Sequence, residues 1–402
     1  MDDVLSVPIE LLVFVFKFLS ARDLVAASTT CRRFREAALV DVIWQEICKR
    51  GFDICSYDGW GVSCFRELYS LVIHKYGGIL GLWKANIPRY GGLVHITAES
   101  GRMLATLYRA PYSPKVTHPL RPRELFSLSL HGGSLRTHCL TGWNEEADKE
   151  HLASVHIKST KKGRATSIEF RCHASENHNV RSEMFGTANY LQKWLKDEYD
   201  NENILIQRPD MVQLALLKYT ELHSLYSDPI LFYRLNLPTG QLNTSVVVKP
   251  GVYKGTYSAH GLELVLLEVT ENRVTATKIT GDPNIPAGQV TFDVSLRDPS
   301  FPEDPRDPSD EKELAEEQRP RPLSGRMPFN LPRSFTSDFS GFPSSCISRY
   351  QGAGQVAYHN YSSPRLTPGE LIVFSDDLVG FLWHELLAFS VFSRCTEDFL
   401  QR

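Results

Sequence analysis

The chain has 402 residues, enough for two or three domains, with the 42% hydrophobic and 23% charged content of an ordinary globular protein. Its net charge of −3 leaves no electrostatic footprint for nucleic acid, and no apolar run reaches the ~18 residues that a membrane-spanning helix needs. The eight cysteines form no CxxC pair, and Met1-Asp2-Asp3 lacks the basic stretch of a secretion signal, so reduced thiols in the cytosol or nucleus are expected.

Residues 1–50 read as several short helices. Ser6 is placed to cap the first, with Pro8 in its first turn and Ile9, Leu12, Val13 and Phe16 at helical spacing. Ser20-x-x-Asp23 has the form of a capping box opening a second helix with Leu24 and Ala27. Cys31, Phe34 and Ala38 continue in a third, and Asp41–Arg50 is a fourth that carries Trp44. So few residues bury too little surface to stand alone. Their apolar positions exceed one stripe, which fits either a docking face for another protein's helices or a helical subdomain packed on the rest of the chain.

The residue order bears on that choice. Leu5-x-x-Pro8-x-Glu10-Leu11-Leu12, Phe16-x-Phe18-Leu19, Asp23-Leu24, Cys31-Arg32-x-Phe34 and Trp44 together resemble an F-box. F-boxes bind the Skp adaptor of cullin-RING (SCF) ubiquitin ligases. The resemblance implies that Leu5, Pro8, Ile9, Leu11 and Leu12 lie at or near that interface, and that the remainder of the chain selects what is ubiquitinated.

Residues 51–78 read as a helical linker, with Phe65, Leu68, Leu71 and Val72 on one face. From 79 to 296 short β-rich runs alternate with Gly and Pro turns. Two amphipathic helices with Pro209 between them interrupt this pattern over about 183–226. Residues 297–343, dense in Pro and charge, read as a disordered loop that cannot bury enough surface to offset its ordering entropy. Strands return over 344–396, where "VGFLWHELLAFSVFSR" is expected to close the barrel and leave no bare edge. The expected fold class is therefore α+β: an N-terminal helical F-box followed by a mostly antiparallel β-barrel with a helical insert.

The strings "ILGLW…YGGL", "KPGVYKGTYSAHGLE", "TKITGDPNIPAGQ" and "SSPRLTPGELIVF…GFLWHELLAFSVFSR" are similar to the F-box only protein 31 family, over nearly the whole chain except the Pro-rich loop. The resemblance implies a non-catalytic ligase subunit whose β-barrel recognises the carboxyl-terminal ends of clients. Such clients include D-type cyclins and chains ending in an amide. It also implies partnership with Skp and cullin, no nucleic acid or membrane partner, and a cytoplasmic location that extends to the nucleus or centrosome.

No Walker loop, GxSxG or HExxH occurs in the sequence, and Gly352-x-Gly354-x-x-Ala357 leads into a strand and not the helix a dinucleotide loop needs. Cys139, His151, Cys172 and His178 offer the donor types of a tetrahedral zinc site, though the first gaps are long and His138, His156 and His173 lie nearby. The family resemblance implies a structural zinc of Cys-His-Cys-His type here; its first leg is lengthened by "NEEADKE". A closed four-ligand site would pin loops and not catalyse.

The remaining candidate is "TKITGDPNIPAGQVTF". Each Pro forces extended geometry on the residue before it, and Gly281 and Gly288 permit turns that other residues resist. The stretch reads either as a hairpin whose Asp282 and Asn284 cap their own backbone, or as a barrel-mouth loop that grips a chain end. A terminal amide needs an acceptor and a carboxylate needs donors. Asp282 and Asp293 are the candidate acceptors, and Lys278 and Thr280 the candidate donors. Tyr257, His260, His359 and Trp383 are candidate walls. A zinc-stabilised barrel that binds a small ligand, with an F-box serving outside a ligase, is the alternative reading.

Overall fold

The structure, a computed structural model, describes residues 7–141, 151–159, 165–174, 187–224, 228–238, 248–299 and 326–401. Among these residues no helix is long and apolar enough to cross a membrane.

Four short helices come first: α1 (Ile9–Phe16), α2 (Ala21–Ser28), α3 (Arg32–Ala38) and α4 (Asp41–Phe52). Pro8 is itself the N-cap of α1, its carbonyl accepting from the Leu11 and Leu12 amides. The expected cap Ser6, and Leu5, lie outside the described residues. Ser20 Oγ accepts from the Asp23 N–H at 3.2 Å, as the capping box requires. Cys31 does not sit inside α3 but caps it, its Sγ accepting from the Phe34 N–H at 3.4 Å.

A connecting helix follows as α5 (Phe65–Leu68), a π-helical turn (Tyr69–Ile73) and α6 (His74–Tyr76). Asp41 of α4 caps it, accepting from the Phe65 N–H at 3.1 Å and the Arg66 N–H at 2.9 Å. The wider π turn changes which side chains face inward. Ile73 is buried and Leu71 is exposed, contrary to the simple α-helical spacing.

The strands form two closed antiparallel barrels of eight, where the sequence suggested one. The first comprises β1 (Gly81–Ala85), β2 (Leu93–Glu99), β3 (Arg102–Arg109), β4 (Arg121–His131), β5 (Ser134–Cys139), β6 (His151–Ser159), β7 (Ala165–Cys172) and β8 (Ile230–Arg234). It closes where Trp83 pairs with Arg234. The helical insert falls between β7 and β8, as α7 (Thr187–Tyr199), α8 (Ile204–Gln207) and α9 (Val212–Ser224), around a small core of Trp194, Leu195, Ala215 and Tyr219.

The second barrel contains β9 (Gly251–Thr256), β10 (Leu262–Val269), β11 (Arg273–Lys278) and β12 (Val290–Pro299). A short pair, β13 (Met327–Pro328) with β14 (Ser345–Cys346), stands outside it. The barrel then continues with β15 (Ser348–Tyr358), β16 (Ser362–Val373), β17 (Leu378–Trp383) and β18 (Ala388–Arg394). β18 pairs with β9, so the C-terminal strands do close a barrel, as expected, but the second one. Which strands pair across a closure is set by long-range packing, so local patterning did not separate the two rings.

The expected disordered loop was drawn too long. Residues 297–299 belong to β12, and residues 326–343 are packed on the outside of the second barrel. Phe329, Phe335, Phe339 and Phe342 supply the apolar anchors, in a cluster with Phe374 and Phe389. Proline and charge content masked these four aromatics. Residues 300–325 lie outside the described residues.

One continuous core runs from Leu12 and Phe16 through Trp44, Val72 and Ile79 to Trp83, Phe126 and Phe170. The F-box helices, the connecting helix and the first barrel are thus welded together. The second barrel has its own core, with Phe292, Phe381 and Phe392 at its centre. A third cluster, including Leu82, Leu93, Leu120, Leu264 and Ile279, joins the barrels.

Candidate functional site

The Thr277–Phe292 stretch lies where the barrels meet. Lys278 closes the hairpin, its N–H donating to Gln289 O at 2.9 Å while its carbonyl accepts from the Gly288 N–H at 2.8 Å. Asp282 Oδ1 accepts from the Asn284 N–H at 2.6 Å and the Ile285 N–H at 2.9 Å. The self-capping reading holds for Asp282 but not for Asn284, whose side chain reaches another strand. The loop is also held from outside. Gly281 N–H donates to Tyr90 O at 3.0 Å and Ala287 N–H to Arg89 O at 2.8 Å, both in the first barrel. Asn284 Nδ2 donates to Ala357 O at 3.0 Å, and the Tyr361 N–H to Pro283 O at 3.0 Å, at the β15–β16 tip. Gly281 is needed for close approach, since a Cβ there would sit 2.3 Å from the Ala287 nitrogen. A loop tied to three elements is a fixed platform, and that rigidity is what a binding site needs.

Under the platform lies a buried charge cluster. Lys278 Nζ sits 2.6 Å from Asp282 Oδ2 and 2.6 Å from Glu263 Oε2, and 4.1 Å from the centre of the Tyr257 ring. Tyr257 donates its hydroxyl to Thr291 Oγ1 at 2.9 Å. Burial disfavours charge on Lys278, but the two carboxylates outweigh it and raise its pKa. Burial likewise opposes charge on Asp282, yet Lys278 and His260 hold its carboxyl below the usual range. Glu263 goes the other way: burial, then the charge of Asp282, push its carboxyl well above its usual value against the pull of Lys278. The cluster is therefore a lysine held between two carboxyls whose pKa values are pushed apart. His260 Nε2 stands 3.9 Å from Asp282 Oδ1, and burial lowers its pKa against the pull of that carboxylate.

Two lobes of a cavity meet at Ser258–His260 and Asp282, which line both. One, of about 290 Å³, lies in the mouth of the second barrel between Tyr257, Ile285, Val356, Trp383 and Phe389. The other, of about 420 Å³, lies between the barrels and the helical insert.

The structure brings together Tyr257, His260, Lys278, Asp282, Asn284 and Trp383 on the barrel-mouth lobe. Thr280 lines the inter-barrel lobe, with its Oγ1 accepting from the Leu264 N–H at 2.7 Å. Two expectations fail. Asp293 lines neither lobe; strand alternation turns it outward, where it pairs with Arg273 and accepts from Thr275 Oγ1 at 2.9 Å. His359 is exposed at the β15–β16 tip and lines neither lobe. Lys278 also loses its role as a donor to a ligand, because two carboxylates and a ring already face its ammonium. Glu263 was missed. The signal was an acid on the core-facing side of the strand pattern "GLELVLLEV".

On the F-box helices Leu11 is 54% exposed, while Leu12 is buried in the core and leaves the expected interface. Pro8 is exposed and Ile9 half-buried. Phe14 (60%), Phe18 (69%), Val15, Val25 and Leu39 are exposed instead, an apolar face that the helical spacing alone had not singled out.

Cys139, His151 and Cys172 are buried at the adjoining ends of β5, β6 and β7, with their ligand atoms within 4.8 Å of one another. Cys139 pairs with His151 across the strands, and Cys172 Sγ lies 3.5 Å from His151 Nδ1. His138 and His156 pair with Leu152 and Glu169 and are not in the cluster. His178 lies outside the described residues. Two thiols and an imidazole converging in a buried spot are a donor set suited to zinc.

Exposed apolar side chains on N-terminal helices that share one core with the first barrel, itself joined to a second barrel that carries a preformed cavity, fit a substrate receptor of the F-box class. Comparisons agree. Residues 4–50 match an F-box-like family model, and residues 232–398 match a model described as a cyclin D1 binding domain. F-box only protein 31 of Rattus norvegicus is 31% identical over 448 residues, covering 98% of this chain and 85% of the relative. The Mus musculus protein gives the same 31% identity, and the Homo sapiens protein is 29% identical over 467 residues. The chain belongs to the F-box only protein 31 family.

Proposed function

We propose that this chain docks on the Skp adaptor of a cullin ligase through Leu11, Phe14, Val15 and Phe18, and that its two-lobed cavity binds the carboxyl-terminal ends of client proteins. D-type cyclins are one such client class, in keeping with the description of the model matched over the second barrel. The observation that carries the reading is the loop at Asp282, self-capped and tied to both barrels above a buried charge pair. A chain end is the part of a client that fits a rigid pocket. An amidated end suits this pocket better than a free carboxylate. The donors of Lys278 are spent on Asp282 and Glu263, and a second anion beside Asp282 would be repelled. The chain itself supplies no catalytic step; ubiquitin transfer belongs to its partner enzymes.

We also assign a structural zinc ion to Cys139, His151 and Cys172, with His178 as the fourth ligand expected from the sequence. It would pin three strand ends of the first barrel, far in sequence from the cavity residues of the second.

The test is reconstituted ubiquitination of a reporter ending in a client peptide. Modification is expected with the intact chain and is expected to be lost in the double variant Phe14→Asp, Phe18→Asp while peptide binding persists. Peptide-independent modification would overturn the reading. Metal analysis should find about one zinc per chain, and less than half an equivalent would count against the ligand set.

A further inference from the structure

The inter-barrel lobe differs in chemistry from the barrel-mouth lobe. Its carboxylates face cations. Glu198 accepts from Lys218 Nζ at 2.7 Å and lies 3.4 Å from Arg109 and 3.9 Å from Arg121, while Asp282 and Glu263 face Lys278. Asp338 is exposed at the rim. Neither oxygen of Glu263 has a hydrogen-bond partner among the described residues, and three donors are also left unspent. Tyr90, 7% exposed, has a buried hydroxyl with no hydrogen-bond partner among the described residues. The buried Nε of Arg109 also has none, although its terminal nitrogens bind Asp197. Lys218 has three N–H groups and a single acceptor, Glu198, among the described residues. All three residues line this lobe, and Lys218 stands 5.6 Å from the centre of the Tyr90 ring. A buried donor without a partner is costly, and a ligand that supplies an acceptor removes that cost.

The lobe is continuous with the proposed terminus site, since His260 and Asp282 line both. The charge of Lys218 reaches His260 across it. A chain whose end sits at Asp282 must leave along one lobe, and an extended chain covers about 3.3–3.6 Å per residue. A chain that leaves along the inter-barrel lobe passes Tyr90, Arg109 and Lys218 just before its end.

We propose that the inter-barrel lobe is a second client subsite, in which Tyr90, Arg109 and Lys218 take the carboxylate of an Asp or Glu side chain a few residues before the client's end. This rests on the terminus reading above. It also gives the helical insert a role, because Lys218 is on α9 and the insert walls the lobe.

The experiment uses the full chain co-purified with its adaptor. Peptides with one fixed end carry Asp or Asn at each preceding position in turn. At one position Asp is expected to bind about tenfold tighter than Asn. Tyr90→Phe, which removes only the hydroxyl, is expected to cut that preference severalfold. Lys218→Gln is expected to remove most of it. Thermal unfolding confirms that each variant is folded. Equal binding of Asp and Asn peptides everywhere, with the parent peptide still bound, overturns the subsite and leaves the terminus reading intact. An Asp preference that survives both variants overturns it too. No binding of any peptide overturns both.

Discussion

The first barrel shares its core with the F-box helices, whereas the second packs around a core of its own. They differ as much in polarity as in connection. The first gathers two cysteines and a histidine at its strand ends. The second buries Lys278, Asp282 and Glu263 at its mouth, a costly arrangement that hydrophobic residues would replace at no loss of stability. On the proposed reading, the difference assigns the ligase geometry to the first barrel and the selectivity to the second. A receptor must hold its client at a fixed distance from the adaptor, and a continuous core from Leu12 to Phe170 provides that rigidity. The second barrel can then spend stability on a polar site, because the ring around it is closed and the loop at Asp282 is anchored on the first.

The sharpest way to break this comparison is to damage one core alone. Phe292 and Phe381 stack at 4.7 Å and are fully buried. Phe381→Ala is expected to cost about 3–5 kcal/mol and to abolish client binding while adaptor binding persists. Loss of both, followed by pull-down on each partner, would show that the barrels fold as one unit. Next in size is Lys278→Met. It leaves Asp282 buried without its cation, a loss of about 3–5 kcal/mol before any relief from protonation of the carboxyl. Denaturant unfolding should detect it, and Glu263→Gln should cost less, because burial and Asp282 already oppose charge on that carboxyl. Gly281→Ala comes third. The added methyl meets the Ala287 backbone, and about 1–3 kcal/mol of overpacking is expected, with client affinity falling more than adaptor affinity.

The smallest effect is one of pH. The folded pKa of His260 lies below its ordinary 6.5, so between the two values an unfolded chain binds the extra proton. The contribution of His260 to stability is therefore complete above about pH 6.5 and is lost as pH falls toward the folded value. In His260→Gln that part of the decline between neutral and mildly acid pH should disappear, as read by unfolding midpoints across the range.

Much of the helical N-terminus was legible because its signals are local. The Ser20–Asp23 capping box stands as read, and the errors were two residues of register at Pro8, the capping role of Cys31, the burial of Leu12 and the π turn that exposes Leu71. Antiparallel strands and the insert were legible for the same reason. The division into two barrels was not, because β8 returns to β1 and β18 to β9 over long separations. Within the site, Asp282 and Asn284 were found through turn chemistry, which acts over a few residues. Asp293 was misplaced because the strand's alternation had not been applied to it. Tyr90, Arg109 and Lys218 reach the cavity from three separate elements, and nothing in their own neighbourhoods marks them.

The central claim is that the second barrel reads a client's chain end at Asp282. The most direct test is the affinity of the adaptor-bound chain for matched peptides ending in a primary amide or a free carboxylate, repeated with Asp282→Asn. The account predicts tighter binding of the amide by the native chain, and loss of that preference in the variant, whose neutral side chain no longer repels a carboxylate. Equal affinity for both ends that is unchanged by Asp282→Asn, in a complex shown to be folded, would contradict it.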